Sequence, residues 1–423
     1  MRIAFVTRKS WPAVGGAEAH LRLLARALAE TNEVRVLAQR IHDGEINLIG
    51  DLVLPRPPFA TFTDGAVRVE ALRASALARG AVAADLVAVL TRMRARRTRV
   101  LAPDTYDRFA KLVGAAIASR LRGAEIVHVI CGGNLAGAAV QAAMILGVPA
   151  VVTPFAHPGQ HDDDAASGMA YRSADAVVAT TATDASVYLG LGVDPGRITV
   201  AGVCTEGLVS GGGVALRRSE GIEGPLVVFV GVRRPHKGLD LLLAAAPEIL
   251  ARHANARFAF IGPGEPLPRQ GPEILDLGIR DAFHKAAWVE AADVLCLPSA
   301  NESFGLVVTE AWSVGTPVVT SDLPVLRELV GAGGGGITVS REPRALAAAL
   351  LSLLDDPPRA RELGEAGRAY WRGHYRPSLV ARVHEQLYRR LSQDASTRRP
   401  AGASPLEALA RQRFPRHRQL SWR

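Results

Sequence analysis

Two carboxylates stand eight positions apart in the run Ala292-Asp-Val-Leu-Cys-Leu-Pro-Ser-Ala-Asn-Glu302-Ser-Phe-Gly-Leu-Val-Val-Thr-Glu310-Ala-Trp. The apolar stretch Val294–Leu297 has the character of a buried strand, and a polar turn follows Pro298. Gly305 then opens a helical pattern, so the main-chain N–H groups of Ser303, Phe304, Gly305 and Leu306 are turned outward in an arrangement that receives anions. Glu302 falls in the turn and Glu310 one to two turns into the helix. Carboxylates so placed accept hydrogen bonds from adjacent hydroxyls, as an acidic residue does for ribose in dinucleotide sites. The plainer alternatives are a helix cap for Glu302 and a solvated helical position for Glu310.

A second segment, Leu226-Val-Val-Phe-Val-Gly231-Val-Arg-Arg-Pro-His-Lys237-Gly238, is a strand running into a basic loop. Arg233, Arg234 and Lys237 there can neutralise a diphosphate as its charge grows, with no metal required. Gly15 and Gly16 follow the first apolar run and open an amphipathic helix, where the absence of side chains allows a phosphate or an acceptor to approach. Alone, such a pair is only a tight connection. His157, in Val151-Val-Thr-Pro-Phe-Ala-His157-Pro-Gly, marks another strand end, although a lone histidine is more often structural.

These residues need a scaffold that delivers them to one edge. Short apolar runs alternate with helical patterns, the signature of doubly wound parallel sheets. Strands are expected at Ile3–Thr7, Val34–Ala38, Ile126–Ile130, Ala150–Thr153, Ala176–Ala179 and Ile198–Ala201, and again at Leu226–Val230, Phe258–Ile261, Val294–Leu297 and Pro317–Thr320. The glycine-rich stretch 206–225 interrupts the alternation. The expected organisation is therefore an α/β domain over 1–205, a linker over 206–225, a second α/β domain over 226–376, a helix over 377–395 and a basic tail over 396–423. In that helix Val380, Val383, Leu387 and Leu391 form a stripe that must bury against something. In open sheets of this kind ligands sit beyond the carboxyl ends of the strands, and two such domains face one another across a cleft.

A chain of 423 residues exceeds one core and fits two domains. Apolar residues at 48% and charged residues at 22% exclude a largely disordered chain. Cys131, Cys204 and Cys296 lie far apart, which argues against a disulfide framework or a zinc site. The longest apolar region, Leu135 to Ala156, is broken by Gln141, Gly147 and Pro149 and reads as a helix and a strand, so no membrane-spanning helix is expected. The start, Met-Arg-Ile-Ala-Phe-Val-Thr, lacks the pattern of a secretory signal, and export is not expected. The net charge of +9 is uneven. The tail carries seven arginines against Glu407, and Arg92, Arg94, Arg96, Arg97 and Arg99 interleave with Leu90, Met93 and Val100. Such clusters suit an anionic surface, or are solvated. Without interleaved aromatics no nucleic-acid partner is expected, and no G-x-G-x-x-G follows the first strand, which argues against a nicotinamide dehydrogenase.

Glu302 and Glu310, with Gly315-Thr-Pro-Val-Val following, resemble the E-x7-E motif of glycosyltransferase family 4, and the resemblance extends over most of the chain. It implies the GT-B fold: two Rossmann-like domains, the donor held mainly by the second, and a last helix returning to the first. It further implies that Glu302 contacts the donor sugar, Glu310 the nucleotide ribose and Lys237 the diphosphate. The family's arginine directly after glycine is Val232 here, so Arg233 is expected to substitute, with Arg234 as competitor. Gly15 and Gly16 resemble the family's Gly-Gly-x-Glu opening, and Gly262-Pro-Gly264 its short glycine turn. His157 resembles its active-site histidine, with the main-chain carbonyl near the reacting carbon and no proton transfer assigned to the ring. Cys204-Thr-Glu206 departs from the usual Gly-Val-Asp.

The activity implied is transfer from a UDP-, GDP-, ADP- or dTDP-sugar with retention of configuration and with no cofactor or bound metal. Asp162-Asp163-Asp164 contains an Asp-x-Asp pattern but reads as a polar loop. A sugar-nucleotide epimerase and a nucleotide-sugar-binding module without turnover are the rivals. The expected location is the cytoplasm. Docking of the 92–99 cluster at the inner membrane face is a companion expectation, since lipid-linked acceptors are common in the resembling family.

Overall fold

The computed structural model describes residues 1–13, 15–41, 61–72, 103–157, 159, 162–208, 211–267 and 271–394. The arginine cluster at 92–99 and the tail from 396 lie outside these residues.

Most of the short apolar runs are buried on both faces because helices cover the two sides of the sheet they belong to, whereas Ile198–Val200 at a sheet edge is partly exposed. The first sheet contains β1 (Arg2–Lys9), β2 (Glu33–Arg40), β3 (Thr61–Asp64), β4 (Val67–Ala71), β5 (Ile126–Ile130), β6 (Ala150–Val152), β7 (Ala176–Ala179) and β8 (Ile198–Val200). Their order is β3-β4-β2-β1-β5-β6-β7-β8, parallel throughout except for the β3–β4 hairpin. Helices α1 (Gly16–Leu28), α2 (Pro103–Arg120), α3 (Gly133–Leu146), α4 (Ala165–Ser173) and α5 (Ala182–Gly190) accompany it.

The second sheet has β9 (Leu226–Val230), β10 (Arg257–Ile261), β11 (Ile274–Gly278), β12 (Val294–Leu297), β13 (Val318–Ser321) and β14 (Gly336–Val339) in the order β11-β10-β9-β12-β13-β14, all parallel. Its helices are α6 (Gly213–Ser219), α7 (Leu239–Arg252), α8 (Ala282–Ala291), α9 (Leu306–Ser313), α10 (Pro324–Gly333), α11 (Pro343–Leu354) and α12 (Pro357–His374). The strand order reverses beside β1 in one sheet and beside β9 in the other. These are the topological switch points where parallel sheets open a crevice at their carboxyl edge.

Three segments differ from the sequence reading. The β3–β4 hairpin and β11 were not expected. The stretch 206–225 is not simply extended chain, for it contains α6. The carboxylate of Glu290 accepts hydrogen bonds from the main-chain N–H groups of Gly211, Gly212 and Gly213 at 2.8–2.9 Å and so satisfies the donors at the start of that helix.

The last helix, α13 (Pro377–Gln393), buries Val380, Leu387, Tyr388 and Leu391 in the same cluster as Leu21, Leu24, Leu28 and Val36. Each aliphatic side chain buried in this way contributes about 1.5–3 kcal/mol. Beside them lies a polar clasp. His128 of β5 is bonded through Nδ1 to the Tyr388 hydroxyl at 2.6 Å and through Nε2 to the Thr153 hydroxyl at 2.8 Å. The His384 ring stacks on His128 with centroids 5.6 Å apart, and His20 Nδ1 accepts the Cys204 N–H at 2.9 Å. Burial, reinforced by His384, pulls His20 down to about 3, and burial pulls His384 down to about 4. Burial and both neighbouring rings hold His128 well below its ordinary value.

All three histidines therefore stay neutral in the fold and gain protons only when it opens. Their contribution to stability is complete above the unfolded value near 6.5 and is lost as pH falls toward the folded values, at about 1.4 kcal/mol per residue per unit. Urea titrations at pH 7 and pH 5 should show a lower midpoint at pH 5. Tyr388→Phe, which strands a buried ring nitrogen, should cost about 1–3 kcal/mol at pH 7.

Candidate functional site

The loop that leaves β9 and the loop that leaves β12 are neighbours at the second switch point. The Ala300 N–H donates to the His236 carbonyl at 2.7 Å, which fixes the two loops to each other. Across that join Lys237 Nζ lies 2.6 Å from Glu302 Oε1. The buried Ser299 hydroxyl donates to the same oxygen at 2.8 Å, and the Glu302 side chain is only 9% exposed. Gly305 lies at φ 93, in the region that favours glycine, and no side chain caps α9 behind it. No cap side chain therefore meets the N–H groups at the start of α9.

Glu310 is on the second turn of α9, with Lys285 of α8 at 2.8 Å from its Oε1. Ser303 contributes its carbonyl to a contact of 3.4 Å with the Thr180 hydroxyl. The Phe304 ring is buried in the core against Tyr375, so only its main chain can meet a ligand.

Arg233 does not project into the cleft as the sequence reading expected. Both ends of its guanidinium engage the Asp276 carboxylate of β11, and its side chain is only 6% exposed. The Arg233 hydrogen bond holds Asp276 below the usual carboxylate range. Freeing Arg233 would leave the Asp276 carboxylate without its ion-pair partner. Its neighbour Arg234 is exposed and forms no ion pair among the described residues.

The first sheet supplies the opposite wall. Gly16 at the start of α1 lies so close to the second domain that a Cβ there would come within 2.8 Å of Leu306 Cδ1. Gly15 is the N-cap of the same helix. His157, in the connection after β6, bonds through Nδ1 to Asn301 Oδ1 at 2.7 Å, one residue from Glu302. A further tie joins the two units, for the carboxylate of Glu328 on α10 accepts from the N–H groups of Ala182 and Thr183 at 2.7 and 2.6 Å. It caps α5 from the other domain, where the helix dipole favours a negative charge.

Lys285, Asn301, Asp276 and Glu328 were not found in the sequence. Asn301 stood beside Glu302 and could have been read with it. The others depend on contacts between segments distant in the chain. Asp162, Asp163 and Asp164 each hold a separate partner, namely Arg8, the Gly159 N–H and the Ser167 N–H. Among the described residues no group of three or more His, Cys, Asp or Glu side chains is placed to hold a metal ion, and no helix is long and apolar enough to cross a membrane.

Two doubly wound sheets with their carboxyl edges turned toward each other define the GT-B architecture, and solved structures of that class superpose on 92–93% of the chain. Sucrose-phosphate synthase from Thermosynechococcus elongatus does so with a TM-score of 0.68 at 21% identity, covering 92% of this chain and 99% of that one. HepE from Anabaena, in complex with UDP and glucose, gives 0.67 at 17% identity, covering 93% and 100%. The family models "Glycosyl transferase 4-like domain" and "Glycosyl transferases group 1" match residues 15–204 and 215–370. The chain belongs to the GT-B glycosyltransferases of the family 4 type.

Among curated relatives, D-inositol 3-phosphate glycosyltransferase 2 of Catenulispora acidiphila is 34% identical over 251 residues, 52% of this chain and 57% of that protein. Phosphatidyl-myo-inositol mannosyltransferase of Mycolicibacterium smegmatis is 36% identical over 181 residues, 40% and 46%. The chain spans about half the length of the curated relatives it matches.

If Glu328 holds the two units together, Glu328→Ala should enlarge the radius of gyration in small-angle scattering while leaving the circular dichroism unchanged. An unchanged radius would show that the other contacts suffice.

Proposed function

We propose that this chain transfers a sugar from a nucleoside diphosphate sugar to an acceptor hydroxyl, with retention of configuration and without a bound metal. The observation that carries this reading is the meeting of Lys237 and Glu302 at 2.6 Å beside the His157–Asn301 contact at 2.7 Å, which joins both sheets. A donor placed there has its sugar between Glu302 and His157, its diphosphate at Lys237 and the start of α9, and its ribose at Glu310.

The chemistry follows from these positions. As the bond from the anomeric carbon to the diphosphate breaks, negative charge grows on the leaving oxygen, and Lys237 with the free N–H groups of α9 stabilises it. Arg234, being exposed, takes the second cationic role in place of Arg233. The departing phosphate accepts the acceptor proton on the same face of the sugar, which accounts for retention without a covalent intermediate. Lys237 and Glu302 neutralise one another across the join of the two loops. A donor must therefore supply its own anion to draw Lys237 away and hydroxyls to engage Glu302.

UDP is the first nucleotide to test, because HepE, which shares the fold, was solved with UDP and with UDP-glucose. The names of the relatives make an inositol phosphate or an inositol lipid the first acceptor class to test. The arginines at 92–99 would add attraction to anionic lipid, and sedimentation with vesicles containing phosphatidylglycerol should exceed that with neutral vesicles.

Thermal unfolding should be measured with UDP, GDP, ADP and dTDP. A nucleotide at about a hundred times its dissociation constant raises stability by roughly 2.7 kcal/mol. Glu310→Ala should weaken that nucleotide about 10- to 100-fold, from the loss of charge-assisted hydrogen bonds to ribose. Lys237→Ala should lower kcat about 10²- to 10³-fold. Proton NMR of the product must show the donor's anomeric configuration; an inverted anomer would overturn the proposed chemistry.

A further inference from the structure

The connection from β6 to α4 carries His157 and ends in three consecutive aspartates, each tied to a different anchor. Asp164 caps α4 by accepting the Ser167 N–H at 2.7 Å, and Asp163 accepts the Gly159 N–H at 2.6 Å. Asp162 reaches furthest. Its Oδ1 lies 2.6 Å from Arg8 Nη2 near the end of β1, and that nitrogen also donates to the Gly132 carbonyl at 2.7 Å. The hydroxyl of the buried Tyr171 donates to the Asp162 carbonyl at 2.7 Å.

This arrangement is demanding. Asp162 takes φ 64, a region few residues other than glycine adopt, with Asp and Asn the usual exceptions. Its side chain is 8% exposed, and Arg8 beside it is 18% exposed. The pair rests on the Gly132-Gly133 turn, where a Cβ at Gly133 would come within 2.7 Å of Arg8 Nη2 and 2.9 Å of Asp162 Oδ1. β1 and β5 are adjacent in the sheet, so the carboxylate is seated at the first switch point and at the start of α3. A buried charge pair contributes little net stability compared with apolar packing, so its value lies in fixing one arrangement.

We propose that Asp162, through its pair with Arg8, is a positioning residue that sets where His157 stands in the cleft. The proposal rests on the reading that His157 meets the donor sugar. Asp162 itself lies at the first switch point and touches none of the groups assigned to the donor. Its effect should therefore appear in turnover and in the state of His157, while nucleotide affinity, set by the second sheet, is unchanged.

The first readout needs no substrate. In the full-length protein the His157 Cε1–Hε1 cross-peak should move in Asp162→Ala, while those of the buried His20, His128 and His384 stay in place. Asp162→Asn tolerates the same backbone region and keeps an oxygen for Arg8, so it should restore the His157 signal toward that of the parent. A His157 peak that is indifferent to Asp162→Ala would overturn the proposal. Should the buried histidine peaks collapse in the alanine variant, Arg8→Gln, which removes the other partner of the pair, decides by the first criterion, with a shift confined to His157 in support and an unmoved peak against.

The second readout is release of nucleoside diphosphate from UDP-glucose and from GDP-mannose. Displacement of a reacting partner by about 1 Å can cost of order 10²-fold, so a fall in kcat of that size is expected in Asp162→Ala, with UDP affinity unchanged. Made in a His157→Ala background, the same substitution should cost nothing further. Full turnover in His157→Ala alone would sink the parent reading. Impaired turnover there, with an independent additional loss from Asp162→Ala, would sink only the positioning role.

Discussion

The molecule depends on one geometric constraint: the carboxyl edges of two parallel sheets must face each other, because neither edge alone carries the whole site. Two kinds of force meet that constraint. The helix α13 is rooted in the first domain by apolar burial and by the neutral histidine clasp. The cleft itself is spanned by a few polar contacts, including His157 with Asn301, Thr180 with Ser303, and Glu328 with the start of α5. A hydrogen bond exchanged for water contributes only about 0.5–1.5 kcal/mol net.

Charge within the cleft follows the same economy. Lys237 is matched by Glu302 and Lys285 by Glu310, at 2.6 and 2.8 Å. The Lys285–Glu310 pair is partly exposed, so water screens it, whereas Lys237–Glu302 is about as buried as Arg8–Asp162 and is costlier to break without a replacement partner. Each carboxylate is thus satisfied within the fold by a lysine on a neighbouring segment.

The general architecture was legible because parallel strands are buried on both faces and appear as continuous apolar runs, and each of those ten runs overlaps an observed strand. The β3–β4 hairpin was missed although Asp64-Gly65 between alternating segments is a hairpin signal. β11 escaped because Ile274–Gly278 contains Asp276, and only the structure reveals that this acid is there for Arg233. The stripe on α13 was read from Val380, Val383, Leu387 and Leu391, of which Val383 is only half-buried. His384 and Tyr388, which lie on the same buried face, were passed over because their polarity hides their role until His128 is seen opposite. Pairings such as Glu328 with α5 arise from domain placement, and periodicity within a segment carries no information about it.

The fate of Arg233 has a specific cause. Residues 231–234 lie beyond the end of β9, and their exposure alternates: Val232 and Arg234 are exposed, whereas the side chain of Arg233 between them is held by Asp276. Val232, where the resemblance would put arginine, is 41% exposed, whereas Arg233 turns back over the sheet and is absorbed by Asp276. The next residue, Arg234, is exposed again and leads into the short turn Pro235–Lys237. The alternation therefore leaves Arg234 and Lys237 as the cations of this loop that are not held by β11. If one arginine here assists the diphosphate, the stereochemistry of the strand exit favours Arg234, because use of Arg233 would require breaking the contact that anchors the loop to its neighbouring strand.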